Sequence, residues 1–321
     1  MSSKNLPLSD SLKDPARSEP PGVLIMGSGA MACLFAARLA AARIPVTMYA
    51  VRAENVQALQ QNGVCLVDKS GSEKYYPVTV ISQAQEAAVA RYALVTVKSW
   101  QTQRTAWRLA ECLASDGLAL TLQNGLGNRE QLAHVLGAER VTLGVTTLGS
   151  TALSPGRVQP AGEGVISLSA HPRLAPFTNL LQMAGFVIET APNATVLLWG
   201  KLVINAAINP ITALLGVPNG ELLRRPHARA LLQAAAREAA AVAVAQGIQL
   251  PYPDPVVAAE TIARNTAENR SSMLQDVQRG GPTEIDAICG AIVNAGERTG
   301  VPTPINRTLW QLVNGLTPED K

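Results

Sequence analysis

The stretch VLIMGSGAMA, residues 23–32, joins a short apolar run to a glycine-rich turn and leads directly into the helical pattern of CLFAARLAAA. A second apolar run, VTMYA, follows and ends at Ala50. Strand, tight turn, helix and strand in that order form a βαβ opening, which commits this part of the chain to a parallel sheet. Further apolar runs at VTVI (78–81), YALVTV (92–97) and LALTLQN (118–124) alternate with helical stretches such as Gln101 to Cys112. Parallel neighbours need crossovers of this length, so an open, mainly parallel sheet is the expected assembly.

The pattern changes after residue 144. VTTLGSTALSPGRVQPAGEGVISLSA, 145–170, carries β-formers separated by Gly and Pro and reads as extended or hairpin-rich. A further helix and strand are expected to close the first domain near residue 192. Beyond that, helical periodicity dominates at 196–215, 226–246, 255–278 and 284–299, which predicts an all-helical second domain. The fold class is therefore an α/β N-terminal Rossmann-like dinucleotide-binding domain, 21–192, followed by a helical substrate-binding domain, 193–321. Residues 1–20 are polar and Pro-containing and read as a flexible leader.

Within GSGAMA, Gly27 permits the tight turn, Gly29 lets a pyrophosphate approach the backbone, and Ala32 is small enough for helix packing. Backbone donors across Gly27, Ser28, Gly29, Ala30, Met31 and Ala32 would receive the phosphates at the helix start. At the end of the second strand the chain reads Tyr49-Ala50-Val51-Arg52, with no acid immediately placed for ribose hydroxyls. Arg52, near Asn55, can instead pair with a 2'-phosphate, which favours NADP over NAD; its alternative is a solvated surface role. Lys98 and Asn124 follow the ends of two apolar strands, where ligands of open α/β sheets bind; a solvated strand end and an Asn-Gly turn are the structural alternatives.

The helix around KLVINAAINP, 201–210, places Lys201, Asn205 and Asn209 four residues apart on roughly one face of an otherwise apolar run. Buried polar groups without partners are costly, so the face asks for a ligand or an internal network. In RGGPTEIDAICG, Thr283 can cap a helix whose first turn carries Glu284, a position that favours an ionised acceptor; Asp286 points elsewhere by spacing.

Composition narrows the functional classes. The formal net charge of +3 and the absence of a dense basic run argue against a nucleic-acid partner. Four widely spaced cysteines and three isolated histidines offer neither a metal cluster nor a nucleophile–base pair. They read as reduced thiols, and the chain as cytoplasmic without a membrane partner. The helical half could supply a homodimer surface.

GSGAMA, VKSWQT, LQNGLGN, KLVINAAINPITALLGVPNGEL, ENRSSMLQD and TEIDAICG, in this order, resemble the ketopantoate reductase (2-dehydropantoate 2-reductase) family over roughly residues 22–315. The resemblance implies NADPH-dependent reduction of 2-dehydropantoate to (R)-pantoate, a step toward pantothenate. By motif, Lys201 is implied as proton donor and Asn124 as a group placing nicotinamide and substrate. Asn205, Asn209 and Ser272 are implied to position the substrate, Glu284 to hold its hydroxyl, Lys98 to face the cofactor and Arg52 to meet the 2'-phosphate. The alternatives are a reductase of another 2-oxo acid and a non-enzymatic NADP-binding regulator.

Overall fold

The computed structural model describes residues 22–316; the expected leader at 1–20 lies outside them. Val23–Met26 is a central strand of an eight-stranded sheet, hydrogen-bonded in parallel to Val46–Tyr49 on one side and Ala90–Val95 on the other. Thr79–Ile81 ends the sheet beyond Val46–Tyr49. On the far side come Leu113–Thr121 and Val141–Thr146, both parallel. Val165–Ser169 then runs antiparallel to Val141–Thr146, and Val187–Ala191 completes the sheet parallel to Val165–Ser169. Alternation along the central strand explains its uniformly apolar sequence. Val23 and Ile25 enter one core with Phe35 and Phe177, whereas Leu24 and Met26 enter the other with Leu109 and Leu132. Each fully buried side chain of that size contributes roughly 1.5–3 kcal/mol.

The region expected to be hairpin-rich holds the antiparallel pair Ser150–Ser154 and Arg157–Pro160. That pair joins Val64–Val67 and Glu73–Tyr76 in a separate four-stranded sheet, which sequence periodicity did not anticipate.

Asn193 opens the helical half by accepting hydrogen bonds from Thr195 N and Val196 N at the start of the 22-residue helix Ala194–Leu215. Among the described residues this is the one helix long and apolar enough to cross a membrane, but most of it is buried against other helices. Pro226–Ala245 packs beside it, with Leu232 and Ala235 in the shared core. The expected helix 255–278 is two helices, Pro255–Asn265 and Ser272–Gln278. Between them, Asn269 O and Ala267 O accept from Asn219 N and Gly220 N, so these backbone groups serve a neighbouring turn and do not continue the helix. The expected helix 284–299 also differs: Asp286–Gly290 forms a wider π turn before Ala291–Thr299. All four cysteines are buried and unpaired.

Candidate active site

The glycine turn leaves the C-terminal end of Val23–Met26. Gly27 has φ +129°, a region that favours glycine, and its N–H donates to Tyr49 O at 3.0 Å. Gly29 has ordinary extended backbone, and a Cβ built there would meet nothing within 4 Å. The protein's own packing therefore does not require glycine at 29; the open space suits a closely approaching phosphate group. Helix Ala30–Ala41 has no side-chain cap, and Ala32 in its first turn is fully buried. Ala30 and Met31 are half-buried, and Met31 Sδ accepts from Ser150 Oγ. Ser28 Oγ accepts from Asn55 Nδ2 at 2.9 Å, joining the turn to helix Ala53–Asn62. Arg52, just before that helix, is exposed; its carbonyl accepts from Asn55 N and Val56 N, while its guanidinium has no hydrogen bond or ion pair among the described residues. An uncapped helix start, open space at Gly29 and a free guanidinium fit a phosphorylated dinucleotide.

Lys98 and Asn124 lie in loops beyond Ala90–Val95 and Leu113–Thr121, and both reach residues of the helical half. Lys98 Nζ is 2.6 Å from Asp276 Oδ2 and 3.8 Å from Glu284 Oε2. Asn124 Nδ2 donates to Glu284 Oε2 at 3.1 Å, and Ser99 N donates to Glu284 Oε1 at 3.2 Å. Burial draws the Lys98 pKa down, but the carboxylates of Glu284 and Asp276 outweigh it and hold the lysine above its ordinary value. Burial pushes Asp276 up, with Lys98 pulling back. A cation is thus fixed between two acids at the junction of sheet and helices.

Glu284 immediately precedes its helix and does not lie in the first turn as expected; Ile285 begins the helix and Ile288 N donates to Glu284 O. Thr283 Oγ1 accepts from Ile285 N, but it does so from one residue outside the cap position it was expected to hold. In the π turn, Ala287 O accepts from Leu126 N at 2.9 Å. A Cβ on Gly125, where φ is +84°, would lie 2.4 Å from that same carbonyl. Glycine is therefore needed at 125 both for backbone conformation and for this close approach. Asp286 accepts from Trp310 Nε1 and Asn314 Nδ2, a structural role.

Lys201 Nζ donates to Thr146 O at 2.9 Å, linking the long helix to the end of a sheet strand. Burial lowers its pKa to about 8, with Glu284 opposing the shift. Asn205 and Asn209 follow along the helix; Asn209 is buried, and neither amide side chain forms a hydrogen bond among the described residues. The two serines divide the labour. Ser271 is buried, accepts from Leu274 N and shares a 2.7 Å hydrogen bond with Thr212 Oγ1, whereas Ser272 is exposed at the first turn.

Direct hydrogen bonds and ion pairs therefore gather Lys98, Asn124 and Glu284. Lys201 feels the Glu284 charge, while Asn205, Asn209, Ser272 and Arg52 form no hydrogen bond or ion pair with that trio among the described residues. A cavity of about 890 Å³ lies against Ser99, Gly125, Asn128 and Thr283 and is lined by none of Lys201, Asn205 or Asn209. Sequence reasoning passed over Asp276, although its three-residue spacing from buried Met273 marks it as inward-facing. Ser99 and Thr146 act through backbone atoms, which carry no residue-type signal.

A phosphate-receptive turn at the end of a parallel strand, in a chain whose long helix brings Lys201 to the end of another strand of the same sheet, is the arrangement of a dinucleotide-dependent oxidoreductase. Residues 23–173 match the family model for ketopantoate reductase PanE/ApbA, and residues 193–317 match the model for its C-terminal region. The chain belongs to the ketopantoate reductase family and is an enzyme of it, which removes the non-enzymatic alternative. A 2-dehydropantoate 2-reductase of Archaeoglobus fulgidus is 37% identical over 92% of this chain and 97% of its own length. The solved structure of a family ketopantoate reductase from Ralstonia eutropha JMP134 superposes with TM-score 0.85 at 34% identity, covering 92% of this chain and 98% of that one. D-mandelate dehydrogenase with NADH and anilino(oxo)acetate gives TM-score 0.85 at 24% identity over 92% and 98%, a likeness of fold alone.

Proposed function

We propose that the protein reduces 2-dehydropantoate to (R)-pantoate, with Lys201 as the proton donor. The observation that carries this reading is Lys201 itself: a half-buried lysine whose ammonium is held by Thr146 O and whose pKa is drawn down by desolvation to about 8. When bound, NADPH supplies the hydride that attacks the C2 ketone. Negative charge then develops on the ketone oxygen, and Lys201 both stabilises it and transfers a proton to it, recovering its own proton from solvent. At pH 7 a group of this pKa is mostly protonated, yet it releases a proton more readily than an ordinary lysine.

The remaining residues bind and orient. The turn from Gly27 to Ala32 receives the cofactor's pyrophosphate and Arg52 its 2'-phosphate. Lys98 and Asn124 hold the nicotinamide end against the substrate. Asn205 and Asn209 have amide groups free for the substrate carboxylate and ketone, and Ser272 is accessible at the helix start. Glu284 accepts from Ser99 N and Asn124 Nδ2, but each carboxylate oxygen has a second lone pair available to a substrate hydroxyl.

Family membership and the relatives' activity support 2-dehydropantoate over other 2-oxo acids. Glu284 supports the same choice, since a substrate without the terminal hydroxyl would need no buried acceptor there. Comparing kcat/KM for 2-dehydropantoate with that of the analogue lacking the terminal hydroxyl tests this directly. At least a tenfold preference for 2-dehydropantoate, lost in Glu284→Ala, is expected; equal values would sink the substrate assignment.

A further inference from the structure

Behind the cleft, four buried polar side chains form one directed chain of hydrogen bonds. Thr121 Oγ1 donates to Gln123 Oε1 at 2.9 Å. Gln123 Nε2 donates to Val97 O at 2.9 Å and to Thr102 Oγ1 at 2.7 Å. Thr102 Oγ1 donates to Asn128 Oδ1 at 2.8 Å, and Asn128 Nδ2 donates to Asn124 O at 2.9 Å. Thr121, Gln123, Thr102 and Asn128 are all buried.

We propose that Gln123 is a positioning residue for the reduction: its single amide sets where Lys98 and Asn124 meet Glu284. One hydrogen of Nε2 fixes the carbonyl directly before Lys98. The other acts through Thr102 and Asn128 on the carbonyl of Asn124 itself. Lys98 and Asn124 are two of the groups from the sheet half that touch Glu284, so both are referred to one anchor. Reversing the amide would turn Oε1 toward Val97 O, acceptor against acceptor, which leaves one satisfied orientation. Leaving a buried donor unpaired is costly, so the chain of bonds has little freedom to rearrange. An apolar side chain of similar size could fill the space but could not specify these two positions.

The inference rests on the reading that Lys98 and Asn124 line the reacting cleft. A misplacement of about 1 Å in such groups can cost on the order of 100-fold in rate. The test uses full-length wild type, Gln123→Met, the milder Thr102→Val, and Glu238→Gln as a control. Glu238 accepts from Ile305 N and Asn306 N in the helical half and hydrogen-bonds to no member of this network. NADPH affinity by nicotinamide fluorescence, kcat and KM for 2-dehydropantoate, and thermal midpoint would be measured, the kinetics well below every midpoint.

Gln123→Met is expected to weaken NADPH binding about tenfold and lower kcat/KM about 10–100-fold, with Thr102→Val intermediate. Glu238→Gln should lower the midpoint while leaving both functional readouts within twofold. If Gln123→Met or, where that variant does not fold, Thr102→Val lowers only the midpoint, Gln123 is a structural residue and the inference is overturned. If wild type turns over no 2-dehydropantoate, the substrate reading fails, and the NADPH affinities still decide for or against Gln123.

Discussion

Lys98 Nζ stands 2.6 Å from Asp276 Oδ2, although 178 residues separate them in sequence. The contact joins a strand-end loop of the sheet to helix Ser272–Gln278, and Glu284 completes an acid–lysine–acid group beside it. Asp276→Asn should therefore loosen Lys98 without removing its charge. About a third of the lysine side chain remains exposed, so solvent screening limits the stability loss to a midpoint decrease of about 2–4 °C. The larger effect is expected in KM for NADPH, about three- to tenfold higher by initial-rate kinetics. An unchanged KM would mean that the pair only joins the two halves.

Gly125→Ala should be among the most damaging single-methyl changes. The new Cβ would meet Ala287 O at 2.4 Å on a backbone with φ +84°. Relief requires moving either the Asn124 loop or the π turn, at a cost of roughly 1–3 kcal/mol. Denaturant titration should show that loss together with a reduced kcat. A neutral result would contradict the close docking of loop and turn.

Arg52→Ala should raise KM for NADPH about tenfold or more and leave KM for NADH nearly unchanged, because the 2'-phosphate is the only feature that distinguishes the two cofactors. The paired titration reads this directly. Equal effects on both cofactors would return Arg52 to a general surface role.

The depressed pKa of Lys201 predicts a pH profile. The donor must be protonated, so kcat is expected to hold below about 8 and to fall roughly tenfold per unit well above it. Stability runs the other way. The unfolded lysine keeps its proton up to its ordinary value of 10.5, so the cost of burying the ammonium is present at neutral pH and fades as pH rises from about 8. The midpoint of Lys201→Met relative to wild type should accordingly be higher at pH 7 than at pH 10. A pH-independent difference would mean that the lysine is not desolvated.

Much of this architecture is legible in local sequence because each signal has a local cause. VLIM announces a strand buried on both faces, and the glycine at 27 announces its positive φ. The four-residue spacing of Lys201, Asn205 and Asn209 announces a polar face on a buried helix. What escaped depends on contacts between distant segments. The break between Pro255–Asn265 and Ser272–Gln278 is held by the backbone of Asn219 and Gly220, and the small sheet pairs Val64–Val67 with Arg157–Pro160. The π turn is likewise met by Leu126 N, and periodicity contains no such information. Asp276 was hidden for a related reason: only the arrival of Lys98 explains a buried acid there.

The central claim is most directly tested by following loss of NADPH absorbance with 2-dehydropantoate, for wild type and Lys201→Ala side by side. Wild type should oxidise NADPH readily, and the variant should be at least about 100-fold slower in kcat while binding NADPH with unchanged affinity. A wild type that binds NADPH but leaves it unoxidised, or a variant that turns over as fast as wild type, would contradict the account.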